Sequence, residues 1–136
     1  MTAFIYRIVN KYQWTLPVLS GILTLIALFL TLMPAGDLGH NKLFQYDKLG
    51  HMLIFGSWTF ALGLMRINNK QRSIALYPIF LAGCAFGLSI EILQGILPIH
   101  RDPDYLDFIA DVVGCLVAVG VLKMLVRSWK KERILY

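Results

Sequence analysis

Six polar side chains lie in pairs whose spacing lets each pair share one face of a helix. The pairs are Asp47 with His51, Glu91 with Gln94, and Asp107 with Asp111. A histidine beside carboxylates can move protons as a general acid or base, and the same groups can bind polar ligands. These residues therefore indicate proton transfer or polar ligand binding, provided that the fold brings the pairs together.

No side chain near these pairs stands out as a nucleophile. Ser57 and Ser89 fall off the polar faces, and neither a GxSxG sequence nor an acid-phosphatase signature is present. A hydrolytic reaction at the pairs would therefore use water as the nucleophile, with or without help from a metal.

A divalent metal is chemically possible at these pairs, because imidazole and carboxylate groups are suitable donors. The candidate ligands are His51, Glu91, Asp107 and Asp111, with His100 or His40 in reserve. No dense ligand motif accompanies them, so the sequence does not favour a metal and leaves the cofactor unknown. Cys84 and Cys115 lie inside apolar runs without a CxxC pair and are interpreted as small apolar fillers.

The composition indicates that the polar pairs lie on membrane-spanning helices. Of the 136 residues, 57% are hydrophobic and only 15% are charged, which is not typical of a soluble globule. A helix of about 20 apolar residues crosses a hydrocarbon core. The net charge of +5 comes from basic residues at helix ends and on a short tail, not on a binding face, and this excludes nucleic-acid binding.

Four apolar runs are long enough to cross a bilayer, and they predict an all-α polytopic membrane protein. The predicted spans are about 14–33, 47–67, 73–97 and 105–126. The chain is interpreted as a single domain, 1–136, a bundle of four transmembrane helices. Residues 1–13 are amphipathic and too short to cross, which suits a segment at the membrane surface. Cleavage of a signal peptide near Ala35, which would leave three spans, is the minor alternative.

The distribution of Lys and Arg predicts the orientation. Two lie near the N-terminus, three in the 66–72 loop and five from Lys123 onwards, whereas the other side has only Lys42, Lys48 and Arg101. The positive-inside rule then places both termini in the cytoplasm. With up-and-down connectivity, the three polar pairs meet at the opposite, extracytoplasmic surface.

Glu91 is the residue that most needs partners in this arrangement. It lies about 9 Å of helix from the end of the third span, inside the hydrocarbon. An acidic side chain at mid-bilayer costs about 2.5 to 3.5 kcal/mol, and less near the interface. We therefore expect partners or trapped water, with His51, Gln94 and Arg101 as the candidates.

Small residues on the third and fourth spans predict where these helices meet. Gly83, Gly87 and Gly95 recur four residues apart in register with Glu91. Such a row lets another helix approach closely. The matching row on the fourth span is Asp107, Asp111, Gly114 and Ala118.

The order and spacing of the polar residues resemble the VanZ-like family, small bacterial membrane proteins named for one that confers teicoplanin resistance. The family pattern is Asp-Lys followed by a His, then Glu-x-x-Gln near a helix end, then an Arg, an Asp six residues later, and Asn-x-x-Gly. The matching positions are Asp47, Lys48, His51, Glu91, Gln94, Arg101, Asp107, Asp111 and Gly114. Asp111 departs from the pattern, because the family usually has Asn there, and it makes this cluster more acidic.

The resemblance implies a multi-pass protein of the bacterial cytoplasmic (inner) membrane with envelope and glycopeptide phenotypes, but it does not fix a reaction. One hypothesis is an enzyme that acts on an envelope lipid or lipid-linked cell-wall precursor in the outer leaflet. In it, His51 or Glu91 moves protons, Asp107 orients His51, and Arg101 holds an anionic headgroup.

Other hypotheses do not require these residues to catalyse a reaction. A non-catalytic protein could bind a lipid or glycopeptide through Arg101 and the carboxylates. The predicted binding set is Asp47, Lys48, Gln94, Arg101 and Asp111. A purely structural polar network that fixes helix register is also open, whereas ion transport is disfavoured because the ionisable groups stop at one surface. The oligomeric state is left open.

Overall fold

The computed structural model describes residues 14–33, 47–69, 75–99 and 103–134, and it confirms the all-α class. The described chain forms four helices: α1 (Thr15–Leu32), α2 (Asp47–Asn69), α3 (Tyr77–Ile96) and α4 (Tyr105–Ile134). The predicted surface segment 1–13 lies outside the described residues, and so do His40, His100 and Arg101.

Three of these helices are long and apolar enough to cross a membrane, namely α1, α3 and the Tyr105–Ser128 part of α4. The chain is thus a multi-pass membrane protein by helix hydropathy. The α2 helix has the length of a span, with 23 residues, but it is less apolar. Its polar residues include Asp47, Lys48 and His51 in the first turns and Thr59 further on.

The α2 helix packs against all three other helices, most extensively against α4. The polar side chains of His51 and Thr59 are buried on this central helix. By contrast, α1 exposes large apolar side chains such as Leu25 and Phe29. This arrangement suits a protein surrounded by lipid, because apolar side chains face outwards on α1 and polar side chains are buried on the central helix.

Glycines allow α2 and α4 to cross in close contact. A Cβ atom built on Gly114 would overlap the backbone carbonyl oxygen of Met52, and one on Gly56 would lie 3.1 Å from the carbonyl oxygen of Gly114. On α3, a Cβ atom at Gly87 would lie 2.6 Å from Oδ2 of Asp111. The predicted row of small residues on α3 therefore does face α4.

Prolines account for the ends of α3. Pro78 occupies the first turn, where a missing N–H costs nothing. At the other end Leu97 is extended and is followed by Pro98, which disfavours a helical residue before it. The α4 helix continues to Ile134, eight residues beyond the predicted limit of 126. The predicted limit was the end of the apolar run. The helix does not end there, because the next eight residues include no Pro or Gly.

Two apolar clusters fill the bundle on either side of its middle. One consists of Phe55, Ile90 and Cys115, and it lies directly beneath the polar end. The other lies near the opposite end and consists of Ile67, Leu76, Val119 and Leu122. The first cluster separates the ionisable groups from the remainder of the bundle, and it packs a Phe55 ring parallel to the His51 ring.

Candidate functional site

The polar site lies where α1 and α3 end and α2 and α4 begin. The side-chain amide Nε2 of Gln94 donates a hydrogen bond of 2.8 Å to the backbone oxygen of Thr31. Thr31 is in the last turn of α1, whose carbonyl groups have no partner within the helix. Gln94 therefore ties the end of α3 to the end of α1.

His51 stands between two carboxylates of α4 that lie one helical turn apart. Its Nδ1 atom is 3.0 Å from Oδ1 of Asp111, and its Nε2 atom is 4.0 Å from Oδ2 of Asp107. The His51 side chain is only 3% exposed, and Asp111 is fully buried. Asp111, not the predicted Asp107, is thus the carboxylate within hydrogen-bond distance of His51, and it fixes the orientation of the ring.

Lys48 joins the exposed rim of the site to its interior. Its Nζ atom donates to Oδ2 of Asp104 at 2.8 Å and to Oδ1 of Asp107 at 3.0 Å. About half of the Lys48 side chain is exposed, while the side chain of Asp107 is nearly buried. The lysine therefore screens the outer carboxylates of α4, and it remains accessible from outside the bundle.

Asp104 organises the entrance of α4. Its Oδ1 atom accepts a hydrogen bond from the backbone N–H of Leu106, as an N-cap residue does. The Lys48 ammonium and this N–H hold the pKa of the Asp104 carboxyl below its ordinary value. Asp104 was not among the predicted site residues, although an Asp directly before an apolar helix is a recognisable start signal.

Glu91 reaches across to the same entrance. Its Oε2 atom accepts a hydrogen bond of 2.9 Å from the backbone N–H of Asp104. Glu91 is 6% exposed, so the carboxylate occupies the interior of the site and not its rim. The contact joins the end of α3 to the start of α4, as the predicted convergence requires.

Among the residues that the structure describes, two buried carboxylate oxygens have no hydrogen-bond partner. They are Oε1 of Glu91 and Oδ2 of Asp111. His51, Glu91 and Asp111 each offer one donor atom, and these three atoms lie within 4.8 Å of one another. The same is true of one donor atom each from Asp47, His51 and Asp107. The two groups share His51, so the imidazole lies between an inner and an outer set of carboxylates.

Most of the predicted site residues come together. Those that meet at this end are Asp47, Lys48, His51, Glu91, Asp107 and Asp111. Gln94 lies at the same end, but its amide is bonded to the Thr31 carbonyl. Arg101, the predicted anion-binding residue, lies outside the described residues. Thr31 was not predicted, because its contribution is a backbone oxygen and carries no side-chain signal.

The site is strongly acidic within the described part of the chain. One imidazole and one ammonium group face several carboxyl groups, those of Asp47, Glu91, Asp104, Asp107 and Asp111. An acid-rich, partly buried cluster attracts cations and hydroxyl or amine donors more strongly than free anions. Its histidine and carboxylates can also exchange protons with a bound group.

An all-α membrane protein with a buried His/Asp/Glu network at one end of its bundle is the class that the fold and the site define. The family model described as VanZ/LLP1 matches residues 2–127. The chain therefore belongs to the VanZ/LLP1 family. No curated protein and no solved structure matches it significantly.

Proposed function

We propose that this protein binds the polar headgroup of an envelope lipid, or of a lipid-linked cell-wall precursor, at the extracytoplasmic surface of the bacterial cytoplasmic membrane. One observation carries the proposal. The ionisable groups of α2, α3 and α4 grade from a half-exposed Lys48 at the rim to a fully buried Asp111. A lipid headgroup at the membrane surface is suited to such a gradient, because its tail can remain in lipid while its polar atoms enter the bundle.

The proposal includes a fourth crossing by α2. The Gln94–Thr31 contact brings the ends of α1 and α3 to the same side of the bundle. If α1 and α3 both cross the bilayer in that direction, the chain between them must cross back, and α2 is the only described helix there. Its lower apolar content fits a helix that neighbours largely shield from lipid.

The distribution of basic residues supports the outward orientation of the site. Ten of the 13 Lys and Arg residues belong to the N-terminus, the 66–72 loop and the C-terminal end from Lys123. In sequence these residues precede α1, lie from the last turn of α2 to the start of α3, or belong to the last part of α4. The ends of these helices that adjoin them are opposite the site, and the positive-inside rule assigns that side to the cytoplasm. Both termini are then cytoplasmic.

Within the site we assign proton transfer to His51 and Glu91. Asp111 holds the His51 ring through Nδ1, and Asp107 lies 4.0 Å from the other ring nitrogen. A positioned histidine can accept or return a proton, and the buried Glu91 can do the same for a group that reaches its free oxygen. We assign headgroup binding to Asp47, Lys48, Gln94 and Arg101. In the bound state, Lys48 would exchange an Asp partner for an anionic oxygen of the headgroup.

A non-catalytic binder is the second candidate, and the burial of the reactive groups favours it. His51 and Glu91 are almost fully enclosed, while the exposed groups at the rim are Lys48 and Asp104. Such a protein would hold a lipid-anchored precursor or a glycopeptide without changing it. A link to glycopeptide susceptibility fits either candidate.

The test combines binding and turnover. We would reconstitute the full chain in nanodiscs and incubate it with a panel of envelope lipids, with and without Mg²⁺ or Zn²⁺. Bound lipid is measured by native mass spectrometry and product by liquid chromatography with mass detection. The variants are Glu91→Gln, His51→Ala and Lys48→Gln, and Glu132→Gln, from the other end of α4, is the matched control.

Turnover that disappears in Glu91→Gln and His51→Ala but persists in Glu132→Gln supports the enzyme. Selective lipid binding without product, weakened in Lys48→Gln, supports the binder. If the wild-type protein binds no lipid of the panel above the level of a nanodisc control, the proposed function is wrong.

A further inference from the structure

The inner set of donors, His51, Glu91 and Asp111, is incompletely satisfied. Glu91 and Asp111 are at least nine-tenths buried, and each has one carboxylate oxygen without a hydrogen-bond partner. An ionised carboxylate can only accept hydrogen bonds, and a buried oxygen without a donor loses free energy of hydration that nothing replaces. Exceptions of this kind in a folded protein commonly indicate a bound ion or water.

A cation explains the inner set better than water does. Two ionised carboxylates within reach of one another repel unless one of them takes up a proton or positive charge lies between them. The Lys48 ammonium is bonded to Asp104 and Asp107 and not to either of the unpaired oxygens. A metal ion bound to both oxygens would supply the missing partner and the missing charge together.

The outer set is less suited to a metal. It consists of Asp47, His51 and Asp107, and Asp107 is already paired with Lys48 at 3.0 Å. A divalent cation there would meet the positive charge of the ammonium group. Of the two sets among the described residues, only the inner one combines full burial with unpaired oxygens.

We propose that His51, Glu91 and Asp111 bind a divalent transition-metal ion. One imidazole nitrogen with two carboxylate oxygens is a donor set that suits Zn²⁺ or Mn²⁺ better than Mg²⁺ or Ca²⁺, which prefer oxygen alone. Three protein ligands leave a position for water or a bound group, as in catalytic zinc sites. Coordination would draw the donors, now within 4.8 Å, to about 3.3 Å apart, the separation in a tetrahedral zinc site.

The geometry also provides an outer partner for the histidine. Nδ1 faces Asp111 in the inner set, while Nε2 faces Asp107 at 4.0 Å. A metal-bound histidine characteristically donates its other N–H to a carboxylate, which fixes the ring and raises its basicity. Asp107 lies on that side of the ring, and a shortening of the 4.0 Å separation would let it accept this N–H.

The ligands come from α2, α3 and α4, so no short stretch of sequence carries a metal motif, and the sequence did not favour a metal. A bound cation would also let an acid-rich site hold an anionic headgroup, with the metal between them. That consequence depends on the proposed function, whereas the metal site itself does not.

The experiment measures metal on the full chain without any added lipid. Detergent-purified protein is treated with a chelator and titrated with Zn²⁺ or Mn²⁺ by calorimetry, and Co²⁺ serves as an optical probe of coordination. All proteins carry Cys84→Ala so that the half-buried thiol does not contribute. The variants are Glu91→Gln and Asp111→Asn, and the control is Glu132→Gln, which makes the same chemical change at the other end of α4.

We expect one equivalent of metal on the wild type and on Glu132→Gln. Both site variants should bind at least about 100-fold more weakly, since even outer partners of metal ligands contribute 10- to 100-fold. Equal affinity in the site variants and the control, or no stoichiometric binding by the wild type, overturns the proposal. Even if a variant fails to fold, the titration of the wild-type protein shows whether the chain binds one equivalent of metal. Lipid binding that survives in chelated protein would leave the proposed function standing without the metal.

Discussion

The Nδ1 atom of His51 lies 3.0 Å from Oδ1 of Asp111, a residue sixty positions further along the chain and completely enclosed. The contact fixes α2 against α4 through two buried side chains. It also makes His51 the only hydrogen-bond partner described for the Asp111 carboxyl group, whose second oxygen has none.

Replacing His51 should therefore destabilise the bundle by leaving a buried carboxylate alone. We predict that His51→Phe lowers the free energy of unfolding by about 3 kcal/mol, as removal of one member of a buried pair does. Adding Asp111→Asn should restore part of the loss, because an amide is neutral and less costly to bury unpaired. Unfolding in mixed detergent micelles measures both. A double variant as unstable as the sum of the single changes would contradict this account of the contact.

The crossing of α2 and α4 should tolerate no side chain at Gly114. We predict that Gly114→Ala destabilises the protein by about 1 to 3 kcal/mol, because the new methyl group overlaps the Met52 carbonyl oxygen. Gly120→Ala, on the same helix with open space around it, is the matched control and should be neutral or slightly stabilising. Thermal unfolding compares them, and equal midpoints would show that the helices are not in close contact at Gly114.

The α1–α2 interface contains a hydrogen bond that a double-mutant cycle can isolate. The indole Nε1 of Trp58 donates to Oγ1 of Thr24 at 2.8 Å. We predict a coupling free energy of about 0.6 kcal/mol between Trp58→Phe and Thr24→Val, the average for hydrogen bonds between helices in membranes. Reversible unfolding of the four proteins provides the value. Strictly additive losses would mean that the two side chains do not interact.

The orientation can be tested at the two ends of α4. Tyr105 is exposed beside the site, and Ser128 is exposed at the opposite end. In a background without the native cysteines, we predict that Tyr105→Cys reacts with a membrane-impermeant maleimide in intact spheroplasts. Ser128→Cys should react only after lysis. The reverse pattern would place the site in the cytoplasm and remove the extracytoplasmic assignment.

The sequence was sufficient for the helices and for the convergence of the polar pairs. Long apolar runs are a strong signal in a bilayer, and up-and-down connectivity brings Asp47, Glu91 and Asp107 to one end. It could not distinguish Asp107 from Asp111 as the partner of His51. These carboxylates share a face and differ by one turn, about 5.4 Å along the axis. The choice depends on the vertical register of α2 against α4.

That register depends on tertiary contacts that no local pattern encodes. The close approach of Gly56 and Gly114 sets the depth at which the two helices cross. Likewise, the hydrogen bond from the Asp104 backbone to Glu91 depends on the path of the chain before α4. The hydrogen bond of Gln94 depends on the position of a backbone oxygen of α1. Side-chain pairing along one helix follows from spacing, whereas pairing between helices follows from packing.

We propose that the buried carboxylates form a ligand site and not only a packing network. The Glu91→Gln variant distinguishes a ligand site from a packing network. Its amide oxygen can still accept the hydrogen bond from the Asp104 N–H. Its NH₂ group replaces the unpaired oxygen, and the buried charge is removed.

The decisive measurement is thermal unfolding of chelated Glu91→Gln protein together with its affinity for metal, against Glu132→Gln as control. We predict an unfolding midpoint equal to or above that of the wild type and a loss of binding of at least about 100-fold, the pattern of a site that trades stability for function. A lowered midpoint with unchanged binding would contradict the account.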